Sequence, residues 1–337
     1  MQAVPTYRNP LRRIEWVLDD SRLSRTAGAK LTRIALAALF AAYGILAETF
    51  SIVRDHDVKL TAFSFLIGAA AILSSRLGML SRYFIPVFLG LFAYATASGY
   101  ATDFRLGVHY KPQLWAEQHL LPGTLPTVWL QQHLYHGRTG VLEALSVLFY
   151  VGHFFVPLIF GAALVLTRRG REFKTLMFTI LGASIAATIT FVLAPTAPPW
   201  LAAEHGYLSG VHNILKSSLA DLHMTSLANV EGDPSKYDIT AALPSLHTTF
   251  PVVCLIVAAR ARLPRWAVTA LAVNLVGVIF SIVYTGQHYF VDVVVGAAYG
   301  IAAWLLVTTL SRLELRAARA EAREPAAGAA RPASNIA

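Results

Sequence analysis

The sequence has a single cysteine, Cys254, which lies within an apolar run. One thiol cannot form a disulfide within the chain, and a metal site built from paired thiols is excluded. Because free cysteine is among the residue types most often buried, we expect Cys254 to be a packed core residue.

Charged residues are scarce as well, at 14% of the 337 residues, whereas hydrophobic residues make up 55%. Soluble globular domains carry about 25% charged residues, so the deficit indicates that lipid is the solvent for much of this chain. A signal peptide is not indicated, because residues 1–33 stay polar and basic and the first long apolar run starts only at Ile34.

Long apolar stretches recur along the chain, and a membrane span needs roughly 17–25 mostly apolar residues. The sixth stretch is short and reaches span length only by extending back through Leu243 or by tilting. We predict an all-α fold, a polytopic membrane helical bundle of about eight transmembrane helices, with a transmembrane catalytic domain at 34–310. The predicted spans are 34–53, 60–75, 83–100, 141–166, 174–194, 247–260, 266–285 and 289–310.

The net charge of +9 is concentrated in alternate segments of this arrangement. With the N-terminus inside, every predicted inner segment is basic, and these segments hold 21 of the 28 Lys and Arg residues. We therefore predict two cytoplasmic termini, a basic segment at 1–33 and a partly disordered tail at 311–337. Topology alone explains the charge, so no nucleic-acid partner is expected. All eleven histidines lie in spans or outer segments, which places acid–base chemistry on the non-cytoplasmic face.

Two outer segments are long, one at about 101–140 and the other at about 195–246, and loops of this length are usually functional or disordered. The first predicts an interfacial helix lying on the bilayer, with a structural cap over the bundle as the alternative. Its aromatic and apolar residues are Trp115, Leu120, Leu121, Val128, Trp129 and Leu130.

His288 and Asp292 are four residues apart at the start of the last span, which places them on one face of a helix. A carboxylate there can accept a hydrogen bond from one imidazole nitrogen and leave the other free as a nucleophile or base. An ionisable residue within a span is a functional candidate by default, and His288 is the obvious partner of Asp292.

His247 lies at the same membrane face in this topology, just after Pro244 and Ser245, which favour the start of a helix. A helix N-terminus has free N–H groups that can bind phosphate, so two histidines and an aspartate there suggest covalent phosphoryl transfer. The alternatives are structural histidines at a membrane interface, and a zinc or iron site made of two histidines and a carboxylate.

The stretch P-S-L-H at 244–247 resembles the P-S-x-H motif of the type 2 phosphatidic acid phosphatase superfamily. Residues 281–292 resemble the last motif of that superfamily, which ends in H-x-x-x-D. These variants, and the proline-rich segment at 195–200, are most similar to the inositol phosphorylceramide synthase branch, which includes bacterial homologues. The order and spacing of the three segments match over 141–310, and Y-V-G-H-F at 150–154 also looks family-like.

The resemblance implies a six-helix phosphatase-type catalytic core in a bacterial plasma membrane. It also implies that the reaction needs no metal or other cofactor. It implies that His288 is the nucleophile that forms a phosphohistidine, that Asp292 orients it, and that His247 protonates the leaving alcohol and then activates the acceptor. The substrates would be a phospholipid donor of a phosphate-containing headgroup, phosphoinositol in this branch, and a lipid or alcohol acceptor. Further substrate- or phosphate-binding residues would be Ser245, Leu246, Tyr284, Trp200 and His153.

One departure bears on the activity: Ile282 stands where the phosphatases of the superfamily carry an arginine, six residues before the last histidine. The synthase branch often lacks that arginine, so the departure favours transfer over hydrolysis, with a lipid phosphate phosphatase as the alternative. A transporter is the alternative of another class, although the spans contain few charges. The outer-side candidates for a cation at the phosphate are Arg138, Lys216 and Lys236.

Overall fold

The computed structural model of the protein describes residues 107–123, 125–231 and 239–321. These residues form helices without any strand, so the predicted all-α class is confirmed for this part of the chain. The basic segment 1–33, the first three predicted spans and the tail beyond 321 lie outside the described residues. The described helices, in chain order, are α1 Lys111–Leu120, α2 Pro126–Leu134, α3 Val141–Leu166, α4 Gly170–Leu193, α5 Pro199–Glu204, α6 Ile214–Asp221, α7 Thr225–Glu231, α8 Leu246–Arg260, α9 Arg265–Tyr284 and α10 Phe290–Glu321.

Four of these helices are long and apolar enough to cross a membrane: α3, α4, α9 and the part of α10 from Phe290 to Leu313. Their bounds agree with the predicted spans at 141–166, 174–194, 266–285 and 289–310 to within a few residues. The predicted span at 247–260 corresponds to α8, which has only 15 residues. This helix does not extend back through Leu243, because Ser245 caps its N-terminus. The Ser245 hydroxyl accepts a hydrogen bond from the backbone N–H of Thr248.

Helix α8 is short because it lies inside the bundle, where α3, α4, α9 and α10 all pack against it. Its apolar residues join a buried cluster with side chains of α3 and α4, and Cys254 is a fully buried member of that cluster, as expected. In lipid such a cluster holds α8 by close van der Waals packing, and the Ser245 cap fixes where the helix begins. The first turn of α8 is therefore held firmly at one end of the bundle.

Two glycines one turn apart allow α10 to approach α8 closely. A Cβ atom on Gly296 would lie 2.3 Å from the carbonyl oxygen of Ser245, and one on Gly300 would lie 3.2 Å from the carbonyl oxygen of Thr249. The Thr249 hydroxyl donates to the carbonyl of Gly296 at 2.7 Å, which ties the two backbones together. Small residues spaced in this way are typical of closely packed membrane helices.

The segment at 101–140, in its described part, folds as α1 and α2 over one end of the bundle. Both helices turn polar residues inward: Gln113, Glu117, Thr127 and Gln131 are buried. The Gln131 amide donates to the carbonyls of Tyr284 and His212, at 2.9 and 3.1 Å. The structure thus shows the cap that was the alternative for this segment. Contact of its outer face with the bilayer stays a prediction.

The basic connections α3–α4 and α8–α9 meet at the other end of the bundle. The Arg169 guanidinium donates to the carbonyl of Ala261 at 2.9 Å, which joins the two connections. The segments predicted to be cytoplasmic therefore lie together, away from the turn that precedes α10. This clustering is what the positive-inside rule leads one to expect of two inner loops.

Candidate active site

The predicted catalytic residues all lie where α8 and α10 begin. His247 is the second residue of α8, His288 lies two residues before α10, and Asp292 is in the first turn of α10. The α9–α10 turn requires Gly286 in a left-handed conformation, with φ of +82°. A Cβ there would also lie 3.0 Å from the carbonyl oxygen of His212, so the turn and the outer segment 195–246 fit closely.

One ring nitrogen of His288 is hydrogen-bonded to the backbone, and the other ring nitrogen faces His247. Its Nδ1 lies 2.9 Å from the carbonyl oxygen of Ala242, and its Nε2 lies 3.1 Å from Nδ1 of His247. Since a carbonyl oxygen can only accept a hydrogen bond, Nδ1 carries the proton and Nε2 presents a lone pair. This arrangement is what a nitrogen nucleophile requires.

Asp292 is fully buried beside His288, but it is not the closest partner of that ring. Its Oδ2 lies 3.5 Å from His288 Nδ1 and accepts a hydrogen bond of 2.9 Å from the backbone N–H of Tyr289. The structure therefore brings the predicted pair together, with the Ala242 carbonyl sharing the task of orienting the imidazole. That carbonyl could not be identified from the sequence, because nothing in a backbone group distinguishes it.

His247 lies between aromatic rings. Its ring centroid is 4.0 Å from that of His153 and 4.4 Å from that of Tyr150. The Nδ1 of His153 is hydrogen-bonded to the Tyr150 carbonyl, which fixes the orientation of the third histidine. Within the described residues, Nε2 of His247 has no hydrogen-bond partner although the side chain is buried. Such a nitrogen is available to a substrate that enters the site.

A pocket opens beside His288, with about 270 Å³ of empty space that is partly open to solvent. Trp200, one of the expected binding residues, lines it and donates from its indole N–H to the Gln287 side chain at 3.1 Å. The Gln287 amide donates in turn to Asn213 at 2.9 Å, so this wall of the pocket is a fixed network. Glu231 and Tyr150 lie on the lining as well.

Glu231 is a pocket residue that sequence reasoning missed. It ends a short helix in a long polar segment, and no spacing or motif distinguishes it there. Burial raises the pKa of its carboxyl to about 8, opposed by a hydrogen bond from Tyr150 and the charge of Lys216. A carboxyl with that pKa is mostly protonated near neutral pH, so it can donate a hydrogen bond without repelling a phosphate. Gln287, by contrast, directly precedes His288 and could have been singled out.

The remaining predicted binding residues lie around the site without lining the pocket. Ser245 caps α8 and donates its backbone N–H to the carbonyl of Asp292 at 3.2 Å. Leu246 packs in the apolar cluster of α8. The Tyr284 hydroxyl donates to Glu143, which also accepts from the backbone N–H of Gly140 at 2.8 Å. Glu143 thus caps the start of α3. This structural role accounts for one of the few charged residues within the spans that a transporter could otherwise use.

The described lining of the pocket contains no lysine or arginine. Of the three candidate cations, Arg138 and Lys216 are exposed and Lys236 lies outside the described residues. Lys216 acts on the carboxyl of Glu231 through its charge, so it is near the pocket. No group of three or more His, Cys, Asp or Glu side chains in the described ranges is arranged to hold a metal ion.

Comparison with known proteins places this geometry in context. The family model described as PAP2 superfamily matches residues 123–306, which include every catalytic residue predicted from the sequence. Phosphoinositol dihydroceramide synthase of Bacteroides thetaiotaomicron is 27% identical over 171 residues, covering 49% of this chain and 55% of the relative. The chain therefore spans about half the length of the curated relative that it matches. No solved structure matches the chain significantly.

Proposed function

The chain belongs to the PAP2 superfamily, and we propose that it is a membrane lipid phosphotransferase that works through a phosphohistidine. The family match confirms the resemblance drawn from the two histidine motifs, and the name of the relative agrees with the synthase branch. It also confirms the class of enzyme, a phosphotransferase or phosphatase. With its apolar helices, the chain is an integral membrane protein that handles lipid phosphate.

The observation that carries the proposal is the fixed orientation of His288. One nitrogen is held by the Ala242 carbonyl, and the other, Nε2, faces His247 at 3.1 Å. In the first half-reaction, the Nε2 lone pair attacks the phosphorus of the donor lipid and a P–N bond forms. The bond between phosphorus and the glycerol oxygen breaks, and His247 gives its proton to that oxygen. The two rings must separate for the phosphoryl group to enter, because 3.1 Å leaves no room for it.

In the second half-reaction, His247 takes the proton of an acceptor hydroxyl, whose oxygen attacks the phosphorus. The P–N bond breaks and returns its electron pair to Nε2 of His288. Asp292 lies 3.5 Å from Nδ1 and stabilises the positive charge that the ring carries in the intermediate. The same histidine thus serves as acid and then as base, which returns the enzyme to its starting state.

We infer that the transferred headgroup is rich in hydroxyls, with phosphoinositol as the first choice. The relative is named for phosphoinositol, and the pocket beside His288 presents neutral hydrogen-bonding groups. These groups are the protonated Glu231 carboxyl, the Gln287 amide and the Tyr150 hydroxyl. Uncharged donors and acceptors of this kind suit a polyol better than they suit a cationic headgroup.

The side of the membrane is proposed from charge. The basic connections lie at the end of the bundle opposite His247 and His288, and the positive-inside rule assigns that end to the cytoplasm. The active site then lies on the non-cytoplasmic face, and both chain termini are cytoplasmic. Donor and acceptor would reach the site from the outer leaflet.

The test is transfer by the purified full-length chain in liposomes that contain headgroup-labelled phosphatidylinositol, with and without a ceramide acceptor. We expect an acceptor-dependent labelled lipid and an acid-labile labelled protein, both lost in His288→Ala. Release of inositol phosphate to water without need of an acceptor would instead make the protein a hydrolase of the phosphodiester. Undiminished product formation by His288→Ala would refute the mechanism.

A further inference from the structure

Glu117 lies on α1, outside the predicted spans, yet it reaches the helix that carries Asp292. Its Oε2 lies 3.5 Å from the backbone N–H of Val291, in the first turn of α10, and the residue is only 1% exposed. The backbone N–H of Phe290 also acts on this carboxyl. A carboxyl group is favoured at a helix N-terminus, because it meets N–H groups that lack partners within the helix.

Other polar atoms around this turn are buried with unused hydrogen-bonding capacity. The Gln113 amide lies one helical turn before Glu117 and is 2% exposed, with neither of its polar atoms bonded to a described residue. The same holds for Oε1 of Glu117, the Tyr289 hydroxyl and Oδ1 of Asp292. The charges of Asp292 and Glu117 each act on Tyr289, so these groups are close together. Buried polar groups are nearly always satisfied, by protein or by water. Asp292, one member of this cluster, lies beside the proposed nucleophile.

We propose that Glu117 is a positioning residue of the active site, which acts on His288 through Asp292 and the first turn of α10. Asp292 uses Oδ2 for the Tyr289 N–H and for the imidazole, and its Oδ1 is buried without a partner among the described residues, while its charge acts on Glu117. A protonated Glu117 supplies a donor for that oxygen, directly or through one buried water, while its other oxygen stays on the helix N-terminus. The inference rests on the proposed roles of His288 and Asp292.

The electrostatics of the cluster support this role. Burial raises the pKa of Glu117 to about 7, the backbone N–H groups of Val291 and Phe290 oppose the shift, and Asp292 adds to it. The ionisable groups that face Glu117 from α10 and its preceding turn are Asp292 and Tyr289. On α1 itself, Lys111 and His119 are exposed. Below pH 7 the carboxyl is neutral and donates, and above it a second negative charge lies beside Asp292.

The experiment compares Glu117→Gln and Glu117→Ala with the wild type, as full-length chains in liposomes. Gln118→Ala is the matched control, since Gln118 is the exposed neighbour on the same helix. The alanine variant should lower kcat by about 10–100-fold with little change in KM, because misplacing a reacting group by about 1 Å costs about that much. The glutamine variant keeps a neutral donor, so it should keep most of kcat. It should also lose the fall in kcat that we expect of the wild type as pH rises through 7.

Identical pH profiles for the wild type and Glu117→Gln would overturn the inference. It would also fail if Glu117→Ala lost activity only in proportion to its loss of folded protein, measured by thermal unfolding. If the alanine variant does not fold, the pH profile of Glu117→Gln still decides. A failure of the proposed function would give a different result from a failure of this inference. In that case His288→Ala would remain active, whatever the activity of the Glu117 variants.

Discussion

Replacing Gly296 with alanine tests whether the contact between α8 and α10 sets the active-site geometry. The added Cβ would lie 2.3 Å from the carbonyl oxygen of Ser245, 3.1 Å from its carbon and 3.2 Å from its nitrogen. All three atoms are backbone, so no side-chain rotation relieves the clash. Ordinary contacts are 3.4 Å or longer, and the start of α8 must therefore move away from α10 by about 1 Å.

That movement would displace the proposed catalytic residues. Ser245 caps the helix that carries His247, and its N–H bonds the carbonyl of Asp292 at 3.2 Å. A displacement of about 1 Å at reacting groups costs on the order of 10²-fold in rate. Overpacking costs about 1–3 kcal/mol, and the higher helix propensity of alanine returns up to about 1 kcal/mol. We therefore expect a folded Gly296→Ala protein with about 100-fold slower transfer.

The assay is acceptor-dependent transfer in liposomes, with thermal unfolding in detergent as the check on folding. Gly182→Ala is the matched control: Gly182 lies in α4, and a Cβ there meets none of the described residues within 4 Å. The control should gain a little stability and keep the wild-type rate. Equal rates for both variants and the wild type would show that the close approach at Gly296 does not determine the site.

Two further changes probe the residues around the nucleophile. Asp292→Asn should slow formation of the proposed acid-labile phosphohistidine, measured in single-turnover assays. The loss should be smaller than the about 10⁴-fold that the same change causes in a Ser-His-Asp triad, because the Ala242 carbonyl still holds Nδ1 of His288. An unchanged rate would contradict the proposed role of Asp292. Glu231→Gln should retain transfer from phosphatidylinositol, and it should remove the loss of transfer expected in the wild type as pH rises through 8. Glu231→Leu should raise KM for that donor. Full use of the lipid by Glu231→Leu would exclude Glu231 from headgroup binding.

The sequence was sufficient to predict four of the spans and the meeting of the three proposed catalytic residues, for a physical reason. Apolar runs must be helical in lipid, so α3, α4, α9 and α10 followed from hydropathy alone. The two histidine motifs each sit at a helix start, and alternating topology brings both starts to one face. Their contact at 3.1 Å follows from that placement together with the close packing at Gly296.

Groups that act through tertiary contacts could not be found in this way. Glu117 and Val291 are separated by 174 positions and meet only because α1 folds over the bundle. Glu231 enters the pocket from the end of a seven-residue helix in a polar segment that has no pattern. The inward polar face of α1 was not predicted either, because the aromatic and apolar residues of the segment, Trp115 among them, suggested a contact with the bilayer.

The two helix starts at the site also bear on how a phosphate is held, since the described lining of the pocket has no lysine or arginine. Both α8 and α10 direct the positive end of a helix dipole toward His288. At α10 that end already carries two carboxyl groups, Asp292 and Glu117, which would repel a phosphate when ionised. At α8 the cap is only the neutral hydroxyl of Ser245. We infer that the phosphate lies against the first turn of α8, where His247 can reach the leaving oxygen, while the acidic end of α10 stabilises the imidazolium character of His288.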